Sequence, residues 1–345
     1  MTAAPHICNF QIYGIGVSIS GALSELIAED FIHFTDEKIS ELQIKLRIRK
    51  QAPSPMPSAK ITHRFRSANV YQPLDQTGCD QIIDYDGSAR IWIKSGPCIE
   101  AELESENPDL LHELAYLFLQ SKIGERLDQI KLFRVHAAAF VTAKNESFLI
   151  LLPSGGGKST LAINLLTKHP LSLLSDDTPI INRLGQVLPF PMRMAFTKDA
   201  VIPWSSQKFI RRHHGDKKLV SIRQLPPQSI ARSEARKVAF IFLGSRKAIH
   251  HEPSIDSVAP IWGLAALFRD MVIGIGIPQV AELVLSRSPS GLLKLIPVAF
   301  NRFCASIALI RSAKVLRFRL SNDPDKNSDC LMQFIKMQGR QDRAL

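Results

Sequence analysis

Cysteine is scarce and unpatterned in this chain of 345 residues: Cys8, Cys79, Cys98, Cys304 and Cys330 are odd in number and far apart, with no C-x-x-C pair. That excludes a disulfide framework and a zinc finger or ribbon, and makes a reducing compartment the expected setting. The first residues lack the basic and apolar regions of a secretory signal, and no uncharged apolar run reaches about 18 residues. A cytoplasmic protein without a membrane span is therefore expected. Internal repeats, long low-complexity segments and any nucleic-acid-binding module are also missing, so nucleic acid is not an expected partner. Acid is in short supply as well: 32 Asp and Glu against 43 Lys and Arg give a net charge of +11, which favours polyanionic partners such as nucleotide phosphates or acidic peptides. What is abundant is ordinary core material, 45% hydrophobic residues over a length that suggests two domains.

The first hundred residues read as strands. Leu42, Ile44, Leu46 and Ile48 alternate with Gln43, Lys45, Arg47 and Arg49, the period of a half-buried strand. A proline-rich loop, Gln51 to Lys60, follows, and Asp86-Gly87 between two apolar runs predicts a hairpin. Asn107-Pro108-Asp109 supplies an N-cap, a first-turn proline and an early acid for a helix carrying Leu110, Leu111, Leu114, Leu117 and Phe118. From Leu132 the texture becomes strand, loop, helix, strand, the α/β pattern. The expected division is a strand-rich N-terminal domain over 1–125, an α/β domain over 126–325 and a polar, loose tail over 326–345.

The chemistry concentrates where an apolar run, Phe148 to Leu152, meets Ser154-Gly155-Gly156-Gly157-Lys158-Ser159-Thr160 and a helical pattern. Small residues let backbone N–H groups turn inward at a phosphate, and the helix N-terminus faces the same anion. Ser154 to Thr160 would wrap the phosphates of ATP, Lys158 would reach the β- and γ-phosphates, and the Ser159 hydroxyl would ligate Mg²⁺. One element is missing: the first glycine of G-x-x-x-x-G-K-S/T falls at Leu152.

Asp176-Asp177 closes the next apolar run, 18 residues after Lys158. If the two strands are neighbours, the carboxylates emerge beside the phosphate loop, where they can hold Mg²⁺ or accept a hydroxyl proton. A second glycine-rich signature of transporter-type ATPases and an N-K-x-D base-reading motif are both absent. His136, in the small apolar run Phe133 to Ala139, reads either as a satisfied core histidine or as a member of the site.

In order and spacing, His136-Ala-Ala-Ala, Leu149 to Leu161, Leu174-Ser-Asp176-Asp177 and Pro189-Phe190-Pro191 resemble the HPr kinase/phosphorylase family and its related branches, including kinases of lasso-peptide precursors. The resemblance covers roughly Leu132 to Phe196. It implies a phosphoenolpyruvate carboxykinase-like fold, with Lys158 as the phosphate lysine, Ser159 as a magnesium ligand, Asp176 and Asp177 as base and metal-organising acid, and His136 beside them. The E-I/V-R-G signature of the phosphorylase activity is missing, which argues against HPr as substrate and against phosphorolysis.

Eleven Lys and Arg lie between Lys208 and Lys247, and His213 to Lys218 reads as a mobile loop that closes over ATP or receives an acidic segment. Arg193 is a further candidate phosphate contact. The leading expectation is an ATP- and Mg²⁺-dependent kinase acting on a Ser/Thr hydroxyl of a protein or peptide, with homo-oligomers left open. A small-metabolite kinase and a non-catalytic nucleotide-responsive module are the alternatives.

Overall fold

A computed structural model of the chain describes residues 6–35, 39–74, 78–153, 155–211, 215–231, 234–245, 252–280, 282, 293 and 295–341. The fold is mixed α/β with strand-rich sheets, in two compact units: Met1–Ile130 with Gln207–Ser221 and Pro278–Leu295, and Lys131–Ser206 with Ile222–Ile277 and Ile296–Leu345.

The first unit is built on one sheet of eight strands. These are β1 (Ile7–Ile12), β2 (Ile15–Gly21), β3 (Leu42–Lys50), β4 (Ala59–Arg64), β5 (Asn69–Pro73), β6 (Gln81–Asp84), β7 (Arg90–Lys94) and β8 (Ile99–Ser105), in the order β1-β2-β3-β8-β7-β6-β5-β4. Ile44, Leu46 and Ile48 of β3 are buried, as their alternation predicts. Helices α1 (Ser24–Glu29) and α2 (Pro108–Gln129) cover strands β1, β2, β3 and β8. The Asn107 side chain accepts from the N–H groups of Asp109 and Leu110 at 2.9 and 3.2 Å, the N-cap read from the sequence. Asp86 and Gly87, at φ 50 and 74°, make the β6–β7 turn. The proline-rich segment is irregular but packed: Ser54 and Gln51 donate to Glu104.

The second unit holds β9 (Leu132–Arg134), β10 (Ala138–Thr142), β11 (Ser147–Leu151), α3 (Lys158–Lys168), β12 (Leu171–Ser175), β13 (Ile180–Asn182), β14 (Gln186–Leu188) and β15 (Met194–Thr197). The hairpin β16 (Gln207–Arg211) and β17 (Gly215–Val220) belongs to the first unit. Back in the second unit come β18 (Arg236–Ser245), β19 (Ser254–Ser257), α4 (Pro260–Leu267), a π-helical segment (Phe268–Ile273), α5 (Leu295–Ser312), β20 (Lys314–Arg319) and α6 (Pro324–Gln341). Its sheet runs β12-β10-β11-β18, with β20 on the far side of β18. Strands β11, β18 and β20 are parallel, whereas β10 is antiparallel to both β11 and β12. Phe133, Leu149, Leu151, Leu174, Ile241, Leu267, Met271 and Leu309 share its core.

Three expectations change. Residues from 324 to 341 are helix α6, because Leu331, Met332 and Ile335 form a buried stripe and Asp323 caps the first turn by accepting from Asp325 N–H and Lys326 N–H. The stretch from Gly215 to Lys218 is the start of strand β17, with Lys217 opposite Phe209 and Lys218 opposite Lys208; His213 and His214 lie outside the described residues. The basic residues from Lys208 to Lys247 are also divided, since Lys208 pairs with Asp216 in the first unit while Arg236 and Lys237 are in β18 of the second. Helix α5 is long and apolar enough to cross a membrane by length and composition, although Arg302 and Arg311 interrupt it.

Candidate functional site

The glycine loop leaves β11 at the sheet edge. Gly155 and Gly157 have φ of 76 and 93°, the left-handed conformation that a side chain resists, and Gly157 caps helix α3. A Cβ on Gly156 would sit 2.9 Å from the Pro153 carbonyl oxygen, which already accepts the Gly156 N–H at 2.9 Å. Leu152, standing where the strict pattern has glycine, fills space beside Gly244 of β18 and Gly156; a Cβ on Gly244 would come 2.4 Å from its Cδ2. The missing glycine is thus compensated by two others. Ser154 lies outside the described residues.

The acid pair is not on a strand adjacent to β11, because β10 lies between β11 and β12. Since β10 runs antiparallel to both, its start meets the ends of β11 and β12 at one sheet edge. His136 precedes β10, the loop follows β11 and Asp176-Asp177 follows β12. Topology gathers three segments that the sequence scatters.

Asp177 Oδ1 lies 3.2 Å from Lys158 Nζ and 3.4 Å from His136 Nε2. His136 and Lys158 are buried, while the Asp177 side chain is 38% exposed. The contact between Lys158 and Asp177 is an ion pair without hydrogen-bond geometry, so the buried ammonium keeps its donors unspent among the described residues. Asp177 is held by its own backbone: its carbonyl accepts from Ala137 N–H at 3.0 Å. The Ser175 hydroxyl accepts the Thr178 N–H at 3.0 Å and fixes the turn after β12. Phe190, in Pro189-Phe190-Pro191, is buried and donates its N–H to the Leu174 carbonyl at 2.8 Å.

The two carboxylates differ sharply. Asp176 is buried, and burial together with the charge of Asp177 pushes its pKa up to about 8 from an ordinary 3.8, against the opposing pull of a backbone hydrogen bond and Lys158. The strand that leads to them is irregular. Phe140 of β10 faces Leu173 but Ala139 faces Ser175, so Leu174 is an extra residue, a bulge immediately before the acids.

Among the described residues no three His, Cys, Asp or Glu side chains cluster as an all-protein metal site. Two adjacent carboxylates and a serine hydroxyl are nevertheless a suitable donor set for Mg²⁺, which keeps waters and phosphate oxygens in most positions. A cation there would also relieve the repulsion between Asp176 and Asp177. The Ser159 and Thr160 hydroxyls make no hydrogen bond to a described group. Beside them a small cleft of about 50 Å³ is lined by Gly156, Gly157, Thr160, Leu161 and the turn from Leu320 to Pro324. Arg193 is half-buried ahead of β15.

Sequence reasoning missed the other side of the histidine. The Ile275 carbonyl lies 3.0 Å from Nδ1 and the Asp270 carbonyl accepts the His136 N–H at 3.0 Å, from a segment some 135 positions downstream. The closely spaced Gly274 and Gly276 after a helical run were the available signal. No family model matches this chain, and no curated protein matches it either.

Proposed function

We propose that the second unit is a P-loop kinase core of the HPr kinase and phosphoenolpyruvate carboxykinase type, transferring the γ-phosphoryl group of ATP to a hydroxyl. The acceptor is a serine or threonine of a protein or peptide. The observation that carries this reading is the convergence of Lys158 and His136 on Asp177 beside the glycine loop, with the lysine's donors unspent. A glycine turn that served packing alone would have no need of a buried cation beside an acid pair.

Each residue has a role set by its position. The backbone from Gly155 to Ser159 and the start of α3 hold the phosphates, and Lys158 offsets charge on the transferring group. Asp177, the more exposed acid, accepts the proton of the attacking hydroxyl; Asp176 and the Ser159 hydroxyl would hold Mg²⁺. The metal, when bound, supplies charge neutralisation of the β- and γ-phosphates.

The test is transfer of labelled γ-phosphate from ATP in a lysate of cells lacking the protein, with wild type and Lys158→Ala added in parallel. A polypeptide labelled on Ser or Thr only by wild type is the expected result. Label appearing only on a low-mass compound would replace this reading with a metabolite kinase. Saturable ATP binding without turnover on any acceptor would replace it with a nucleotide-responsive module.

A further inference from the structure

The segment from Phe268 to Ile277 wraps a single histidine. Its first part is the π-helical stretch Phe268–Ile273, ended by Gly274 at φ 79°. Wide turns of this kind leave carbonyls without their usual helical partners, which frees them to point elsewhere. Arg302 takes two of them, donating from Nη1 to Met271 O at 3.2 Å and Val272 O at 3.3 Å. Two more go to His136: Asp270 O receives its backbone N–H and Ile275 O receives Nδ1, both at 3.0 Å. Asp270 itself is buried and gripped through both carboxylate oxygens by Arg269 at 2.6 and 2.7 Å.

Gly276 completes the enclosure. It has φ 88°, and a Cβ there would stand 1.5 Å from His136 Nδ1 and 2.0 Å from Cε1, well inside any tolerable contact. The ring is therefore pressed directly against main chain. A carbonyl oxygen only accepts, so Nδ1 must carry the proton, and Nε2 is left facing Asp177 Oδ1 at 3.4 Å. A glycine kept for packing alone would leave the tautomer unspecified; here the same strap supplies the hydrogen bond that specifies it.

We infer that Ile275 and Gly276 are positioning residues. They hold the His136 imidazole by its Nδ1–H against the Ile275 carbonyl, and so fix the place of the ring beside the Asp177 carboxylate, 3.4 Å away, in phosphoryl transfer. The assignment of a transfer reaction rests on the kinase reading above; the orientation of the ring does not.

The experiment uses full-length protein labelled with ¹⁵N-histidine, His136 being identified by the resonances lost in His136→Gln. Wild type is expected to show a protonated Nδ1. In Gly276→Ala those resonances should move, while ATP affinity is retained and the turnover rate falls about 100-fold, the scale on which a misplaced reacting group is felt. Gly87→Ala, at a φ 74° turn glycine with open space around it, is the control that should lose stability and keep its rate. An unprotonated Nδ1 in wild type overturns the inference, and that spectrum suffices if Gly276→Ala does not fold. Wild-type turnover in folded Gly276→Ala overturns it too. A protein that shows the Nδ1–H signal and its shift in Gly276→Ala yet binds no ATP upholds the positioning and overturns the kinase reading.

Discussion

Glu104 in the first unit and Asp176 in the second are both buried carboxylates, and they meet opposite fates. Burial alone would raise the pKa of Glu104, but donors from Ser54, Trp92 and Gln51 at 2.7 to 3.0 Å hold it below the usual carboxylate range. Asp176 has burial and a second carboxylate acting together, and its pKa rises to about 8. The same contrast extends to the cations. Arg90 of the first unit bonds Asp84 through Nε at 3.0 Å and Nη2 at 2.7 Å and also donates to the Ser54 carbonyl; Lys158 of the second, though ion-paired with Asp177, makes no hydrogen bond among the described residues. Glu104 and Arg90 are satisfied internally, as a structural network requires, whereas Asp176 and Lys158 are left with capacity for something that arrives from outside.

The largest expected effect that tests this contrast is Lys158→Ala, which should cut phosphoryl transfer by about 1000-fold while leaving the thermal midpoint nearly unchanged. A midpoint loss as large as that of Glu104→Ala, measured by calorimetry, would make Lys158 a structural cation like Arg90. Glu104→Ala strands the donors of Ser54, Gln51 and Trp92 and should cost about 2 to 3 kcal/mol with no change in turnover.

The two acids should also tilt the pH dependence of stability in opposite directions. The folded state binds the Asp176 proton more tightly than the unfolded chain, so this group's stabilisation is complete below about pH 4 and is lost as pH rises toward 8. Asp176→Asn should remove that alkaline decline, an effect on the order of 4 kcal/mol by melting at pH 5 and pH 9 without metal. Glu104, with its depressed folded pKa, contributes stability above the ordinary carboxylate range that is lost as pH falls through the folded value. Its removal should flatten the acid side instead. Identical pH profiles for the two variants would dissolve the comparison. The smallest effect is Asn107→Ala, about 1 kcal/mol for a lost N-cap in the first unit, with turnover untouched.

Features carried by a few consecutive residues were legible in the sequence: the Asn107 cap, the Asp86-Gly87 turn, the glycine loop and the acid pair. What was not legible depends on strand order and on distant contacts. Nothing local says that β10 lies between β11 and β12, that 207–221 and 278–295 return to the first unit, or that Ile275 and Gly276 close on His136. The helical stripe of α6 is readable in retrospect, since Leu331, Met332 and Ile335 have helical spacing; the polar residues around them masked it.

The turn that Ser175 fixes has a consequence for inheritance as well as for geometry. Asp176 and Asp177 are chemically identical and stand in the bend after β12, where the Ser175 hydroxyl accepts the Thr178 N–H and the Asp177 carbonyl accepts the Ala137 N–H. Which aspartate is enclosed and which is open is therefore written in the hydrogen bonds of that bend rather than in either residue. A change at Ser175 would keep both acids and still loosen the bend that tells them apart.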